Sequence, residues 1–194
     1  MNIIDLFEKQ VKENPNKKAI IDAKTLKYLN FDKLHTRSLS IATVLQKDGI
    51  KKNDRVLIFI PPSLDLISCL FALLKIGAVA TFIDPGVGKK QLLNCIRICE
   101  PSAMIGVKSI HLLRMVYKNY FSTIKKNYSF SKYNFPGIKS LKATIEAKNF
   151  IHNISLNDNA AIVFTSGGTG APKGVVYTHK MFCAQINLLQ KEFA

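Results

Sequence analysis

The chain has 194 residues, 47% of them hydrophobic, and its 28 Lys and Arg against 13 Asp and Glu give a formal charge of +15. That length suffices for one domain burying roughly 70% of its unfolded surface, and the apolar content excludes a disordered chain. The charge raises a nucleic-acid partner, but lysine outnumbers arginine 24 to 4, whereas bidentate recognition of phosphates and bases favours the arginine fork.

Residues 3–13 place Ile3, Phe7 and Val11 on one helical face, stopped by Pro15. No basic and apolar leader precedes them, so a cytoplasmic protein is expected. Residues 19–22 and 25–28 read as two strands about a tight turn at Ala23-Lys24. Asn30 can cap a helix running to Gln46, with Leu34, Ser38, Ile41, Ala42 and Leu45 as its stripe and Gly49 as its left-handed exit. Val56 to Ile60 shows no polar alternation, the pattern of a strand buried on both faces of a parallel sheet. Ser63 caps the next helix, with Asp65 in its first turn.

Leu66 to Ile83 is the stretch nearest to a membrane span, at about eighteen residues close to the lower limit. Lys75 near its middle would cost about 2.5–3.5 kcal/mol there. Gly77 and Asp84-Pro85 also interrupt it, so the stretch reads as a buried helix to Lys75 and a strand from Ala78 to Ile83. A helix from about Gly88 to Cys99, a strand over residues 103–107 and a helix beginning near Ser109 follow. Strands alternating with helices in this way describe an α/β sheet. From Phe121 to Asn159 the pattern weakens, with a turn at Pro136-Gly137 and a strand over residues 138–145. Cys69, Cys95, Cys99 and Cys183 show neither a disulfide framework nor zinc spacing, and are expected reduced and buried. A metal pair at Cys95 and Cys99 finds no histidine cluster beside it.

The densest chemistry is Phe164-Thr165-Ser166-Gly167-Gly168-Thr169-Gly170-Ala171-Pro172-Lys173-Gly174-Val175. Apolar runs on both sides make it strand, glycine-rich loop, strand, and Thr178 can cap a last helix that His179 opens. Glycines let backbone approach a ligand closely, and successive N–H groups form a concave anion site. Hydroxyls from Thr165, Ser166 and Thr169 and the charge of Lys173 suit a polyphosphate. The bland alternative is a hairpin turn, and the G-x-x-x-x-G-K-[ST] pattern cannot be laid on it.

In full order the stretch resembles the phosphate-loop signature of adenylate-forming (AMP-binding) enzymes, aromatic-T-S-G-[ST]-T-G-x-P-K-G-V, at eleven of twelve positions. Gly168 stands where that family has Ser or Thr. Residues 26–34, 49–56 and 73–85 resemble the family's upstream motifs. Residues 82–90, 104–107 and 111–114 are similar to fatty-acid CoA ligase-like proteins that include the olefin β-lactone synthetases. The resemblance implies an α/β fold, the N-terminal portion of the adenylate-forming enzyme fold. It would have a mostly parallel sheet flanked by helices and the strand–loop–strand hairpin near the C-terminus. It implies ATP and Mg²⁺, a carboxylic acid of fatty or β-hydroxy type, and an acyl adenylate later displaced by a thiol such as CoA or by an internal hydroxyl.

Thr165, Ser166, Gly167, Gly168, Thr169, Gly170 and Lys173 are the expected phosphate-binding residues, with no metal ligand and no catalytic residue assigned. Family members are much longer, so residues 1–194 are expected to form a partial N-terminal AMP-binding domain. Two other readings stand beside this one. One is a non-catalytic nucleotide- or partner-binding module. The other is a nucleic-acid binder using Lys108 to Lys148, where nine basic residues and one acidic residue interleave with aromatics.

Overall fold

The computed structural model describes residues 1–131, 136–142, 153–165 and 172–193. The chain opens with helix α1 (Ile3–Glu13), closed by a capping box in which the Asn2 side chain accepts from Asp5 N–H while Asp5 accepts from Asn2 N–H. A small antiparallel pair, β1 (Lys18–Ile21) and β2 (Tyr28–Asn30), leads into helix α2 (Phe31–Lys47). Asn30 caps α2 by accepting from Lys33 N–H, and Gly49 leaves it at φ +87°. Both features match the reading of the sequence.

Seven strands form the main sheet: β3 (Arg55–Phe59), β4 (Val79–Ile83), β5 (Ala103–Gly106), β6 (Lys126–Ser129), β7 (Lys139–Ser140), β8 (Asn159–Thr165) and β9 (Lys173–Thr178). Their order is β7-β6-β5-β3-β4-β8-β9, parallel at every junction except the antiparallel β8–β9 pair. Helices α3 (Leu64–Ile76), α4 (Lys89–Cys99) and α5 (Lys108–Val116) make the crossovers, and α6 (His179–Phe193) follows the last strand.

The two-residue period of the strands divides the core into two. Val56, Ile58, Ala80, Ala103 and Ile105 pack with Ile41 and Leu45 of α2 and Cys69, Ala72 and Leu73 of α3. Leu57 and Met104 face the other way, onto Leu92 and Ile96 of α4 and Ile110 of α5. Strands buried on both faces are why these runs lack polar alternation. Buried hydroxyls on the α2 and α3 side are satisfied within their own helices: Ser38, Ser40, Thr43 and Ser68 donate to carbonyls three or four residues back.

The apolar run from Leu66 divides as expected. Ser63 caps α3, Gly77 ends it at φ +71°, and β4 begins at Val79. No helix among the described residues is long and apolar enough to cross a membrane. Lys75 is buried, with its Nζ 2.7 Å from Glu8 Oε1 and 5.4 Å from the Phe7 ring centre. Burial pulls its pKa below the usual lysine value, and Glu8 works against that shift.

Three expectations are corrected. The first hairpin has no tight turn at Ala23-Lys24, and its second strand starts at Tyr28 rather than Thr25. Asp22 Oδ1 accepts from Lys24 and Thr25 N–H, and Leu26 adopts φ +57°, which widens the connection. β6 lies where no strand was read, because Lys126-Asn127-Tyr128-Ser129 is polar in sequence although Tyr128 is buried. The strand read over residues 138–145 is confined to Lys139–Ser140 within the described residues, and its end falls outside them.

Candidate functional site

The glycine-rich stretch is held by the β8–β9 pair. β8 lies in the sheet between parallel β4 and antiparallel β9, with Thr165 opposite Lys173 and Phe164 opposite Gly174. Thr165 ends β8 and Lys173 begins β9, both exposed, so the hydroxyl and the ammonium flank the two feet of the connection. Ser166, Gly167, Gly168, Thr169 and Gly170 lie outside the described residues.

Gly174 has a packing reason. A Cβ built there would stand 3.1 Å from Phe164 Cζ and 3.2 Å from Ile162 Cγ2. The missing side chain leaves room for the Phe164 ring, which is buried in the core facing α4 and α5. The aromatic at the head of the stretch and the glycine near its tail are thus one cross-strand contact. This partnership needs the register to be seen and was not read from the sequence.

β8 runs parallel to β4, and through it to β3 and β5, so Thr165 comes out at the carboxyl ends of those strands. A cleft of about 820 Å³ lies there, lined by Phe59, Pro61, Phe82, Ile83 and Phe164 with Ile110 and Leu113 of α5. Helix α3, which follows β3, packs on one face of the sheet, and α4 and α5, which follow β4 and β5, pack on the other. Such a change of side opens a crevice at the strand ends, where open α/β sheets bind ligands. Among the described residues Asp84 is the one charged residue in the lining, and its carboxylate accepts from Gly86 N–H at 2.8 Å.

His179 belongs elsewhere. It opens α6 beside the Asn159–Thr178 end of the hairpin, about 20 Å from Thr165 at the usual rise per strand residue. It is fully buried, burial pulls its pKa down, and its backbone N–H donates to Asp158 O at 3.1 Å. Asp158 in turn pairs with Lys52 at 2.6 Å, which holds its carboxyl below the usual value. This is a structural anchor, in agreement with the sequence reading of His179 as a helix opener.

The other chemical candidates are absorbed by packing. All four cysteines are free and buried, burial raises every one of their pKa values, and Cys99 Sγ lies 3.7 Å from Thr81 Oγ1. In the basic segment from Lys108, Phe121 and Tyr128 are buried in the core. Tyr117 and Tyr120 are covered by Lys89 and Arg97, at 5.5 and 6.0 Å. Tyr133 and Phe135 lie outside the described residues. The described aromatics are therefore not set out as a platform for stacking bases.

Comparison with known proteins agrees with this geometry. The model of the AMP-binding enzyme family matches residues 7–193. The olefin β-lactone synthetase of Xanthomonas campestris pv. campestris is 34% identical over 168 residues, covering 85% of this chain and 30% of the relative. The human long-chain fatty acid transport protein 6 is 31% identical over 188 residues, covering 91% and 29%. The chain thus spans about 30% of the length of these relatives. The fold is shared with a luciferase-like enzyme of the nonluminescent mealworm Zophobas morio, at TM-score 0.84 and 22% identity over 96% of this chain and 45% of that one. It is shared too with the anthranilate CoA ligase AuaEII in complex with anthranoyl-AMP, at TM-score 0.83 and 18% identity over 97% and 36%. This chain belongs to the AMP-binding enzyme family.

Proposed function

We propose that residues 1–194 are the N-terminal part of an AMP-binding domain, in a cytoplasmic ATP-dependent ligase that activates a fatty or β-hydroxy acid as its acyl adenylate. The observation that carries this reading is the hairpin register. Thr165 opposite Lys173 fixes both feet of a glycine-rich connection at the carboxyl end of the sheet, beside an apolar cleft. The acid's carboxylate oxygen attacks the α-phosphorus of ATP, and pyrophosphate leaves with the bonding pair.

In this reading Thr165, Ser166, Gly167, Gly168, Thr169 and Gly170 grip the β- and γ-phosphates. Lys173 adds charge where negative charge gathers on the leaving pyrophosphate. The donor set fits the ligand: backbone N–H groups, hydroxyls and one ammonium, with no carboxylate in the stretch to repel phosphate. Mg²⁺ would accompany the phosphates as their counterion. The apolar cleft favours an apolar acid, and the acceptor that displaces AMP is CoA or a hydroxyl of the acid itself. Turnover requires the portion of the enzyme that the longer relatives carry beyond the matched region.

ATP–pyrophosphate exchange tests this, with the chain supplied together with a downstream portion and a panel of medium- and long-chain acids. Acid-dependent exchange is expected, falling about 30- to 100-fold in Lys173→Ala, the scale of one lost charged contact. Exchange indifferent to both Lys173→Ala and Thr165→Val would overturn the assignment of the loop. ATP binding that weakens in Lys173→Ala, with no exchange in any combination, would leave a nucleotide-binding module instead of a ligase.

A further inference from the structure

We propose that the α4–α5 layer is a docking face for an anionic lipid bilayer. Helix α5 carries Leu112, Met115 and Val116 at 52%, 61% and 73% exposure. Their i, i+3, i+4 spacing puts them on one side of the helix, opposite Ile110 and His111, which are buried. Ile98 of α4 is a further exposed aliphatic, at 62%. Around them, α4, α5 and the 3-10 turn Lys118–Phe121 carry six basic residues, five exposed and Arg114 half-buried on the Ile110 side of α5, and no acidic one. Between Asp84 and Glu146 the sequence has a single carboxylate, Glu100.

Aliphatic side chains projecting from a one-signed basic face are the chemistry of a lipid interface: the apolar groups enter the acyl boundary and the cations attract anionic headgroups. Four of the six cations are lysines, which protein–protein interfaces deplete. The exposed apolar residues are aliphatic, and the tyrosines of this layer sit beneath Lys89 and Arg97, which argues against stacking on single strands. Helix α5 also turns Ile110 and Leu113 into the apolar cleft, so docking sets one wall of the cleft against the bilayer. The docking does not depend on the ligase reading.

Flotation of the chain with vesicles of phosphatidylcholine alone, or with about one-third phosphatidylserine, tests the proposal at low and high salt. Binding to the anionic vesicles is expected, at least tenfold stronger than to the neutral ones, and weakening as salt screens the headgroups. Each basic residue near an anionic bilayer adds about fivefold in affinity, so Lys90→Glu with Lys118→Glu is expected to lose tenfold or more. Leu112→Ser with Met115→Ser is expected to lose a comparable amount. Lys33→Glu with Lys47→Glu, on α2, is the control and should bind as the parent does. All six positions are exposed, and unchanged circular dichroism melts would establish that the variants fold. Equal binding to both vesicle types, no binding to either, or loss in the α2 control equal to that in the α4–α5 variants would each overturn the proposal. Binding to single-stranded RNA that the lysine reversals abolish and the serine variants leave intact, without vesicle binding, would reassign the face to nucleic acid.

Discussion

The two helical layers of this sheet are built from the same ingredients in different proportions. Helices α1, α2 and α3 carry six basic and five acidic residues, and the signs are paired across elements: Lys75 with Glu8, and Arg37 with Asp65. None of the large hydrophobic residues that are exposed lies on these three helices. Helices α4 and α5 carry five basic residues and no acidic one, and four large aliphatics stand in solvent there. A core requires one apolar face from each helix, and both layers supply it. What differs is the outward face, where folding imposes little and function is free to write. Helices α1 to α3, with outward charges balanced and apolar groups buried, are complete as folded, whereas α6, packed beside α1, still exposes Met181, Leu188, Leu189 and Phe193. A layer that keeps both cations and aliphatics outward has surface to offer a partner.

The sharpest way to break this comparison uses one leucine from each layer. Leu73 of α3 is fully buried, and Leu73→Ala is expected to cost about 3 kcal/mol in urea or thermal unfolding. Leu112→Ala should stay within about 0.5 kcal/mol, because its side chain already meets water. A similar loss at both positions would mean that the α5 stripe is covered, and the contrast between the layers would fall.

A second variant probes how closely the basic layer sits on the sheet. A Cβ at Gly106, the last residue of β5, would come within 2.4 Å of Ile110 Cγ2 on α5. Gly106→Ala should therefore destabilise the fold by about 1–3 kcal/mol through overpacking, and a melt unchanged from the parent would show that α5 can move away freely.

The smallest effect separates the layers by pH. His111 of α5 is buried with Nε2 3.0 Å from Tyr128 O, and burial holds its pKa below 6.5, as it does for His179. The unfolded chain takes up protons that the fold resists, so this stability is present above pH 6.5 and is lost as the pH falls toward the folded pKa. The carboxyls with lowered pKa values, Asp22 and Asp158, lose their contribution only below about 3.8. Between pH 7 and 5, the protection of α5 amides relative to their intrinsic exchange rates should fall, while α3, which has no histidine, keeps its protection. Replacing His111 by Asn should flatten that dependence, and an equal fall in protection in both helices would assign it to global unfolding.

Much of the architecture was legible because its signals are local. Asn30 and Ser63 announce helix starts through one side-chain oxygen each, and Gly49 and Gly77 announce ends through backbone that only glycine adopts easily. The buried parallel strands show as unbroken apolar runs. The failures are equally physical. β6 is paired by the sheet rather than marked by its residues, and only Tyr128 and Ser129 of its four are buried. The first hairpin widens because Leu26, a residue with no preference for it, takes a left-handed conformation once Asp22 has organised the turn. At the candidate site the order of residue types carried the reading. The cleft could not be seen that way, since it gathers Pro61, Phe82, Ile110 and Phe164 from four separate segments.

The pairing of Thr165 with Lys173 also limits how this stretch can change in length. Strand faces alternate strictly, so losing one residue inside β9 would turn every later side chain to the opposite side. Loss of Lys173 or Gly174 would bring Val175 opposite Phe164, where the ring now occupies the space above Gly174. Deletions within residues 166–172 leave that alternation untouched. The strands that carry the loop should therefore stay free of single-residue gaps, while the phosphate grip proposed for residues 165–170 holds the connection between them to its length.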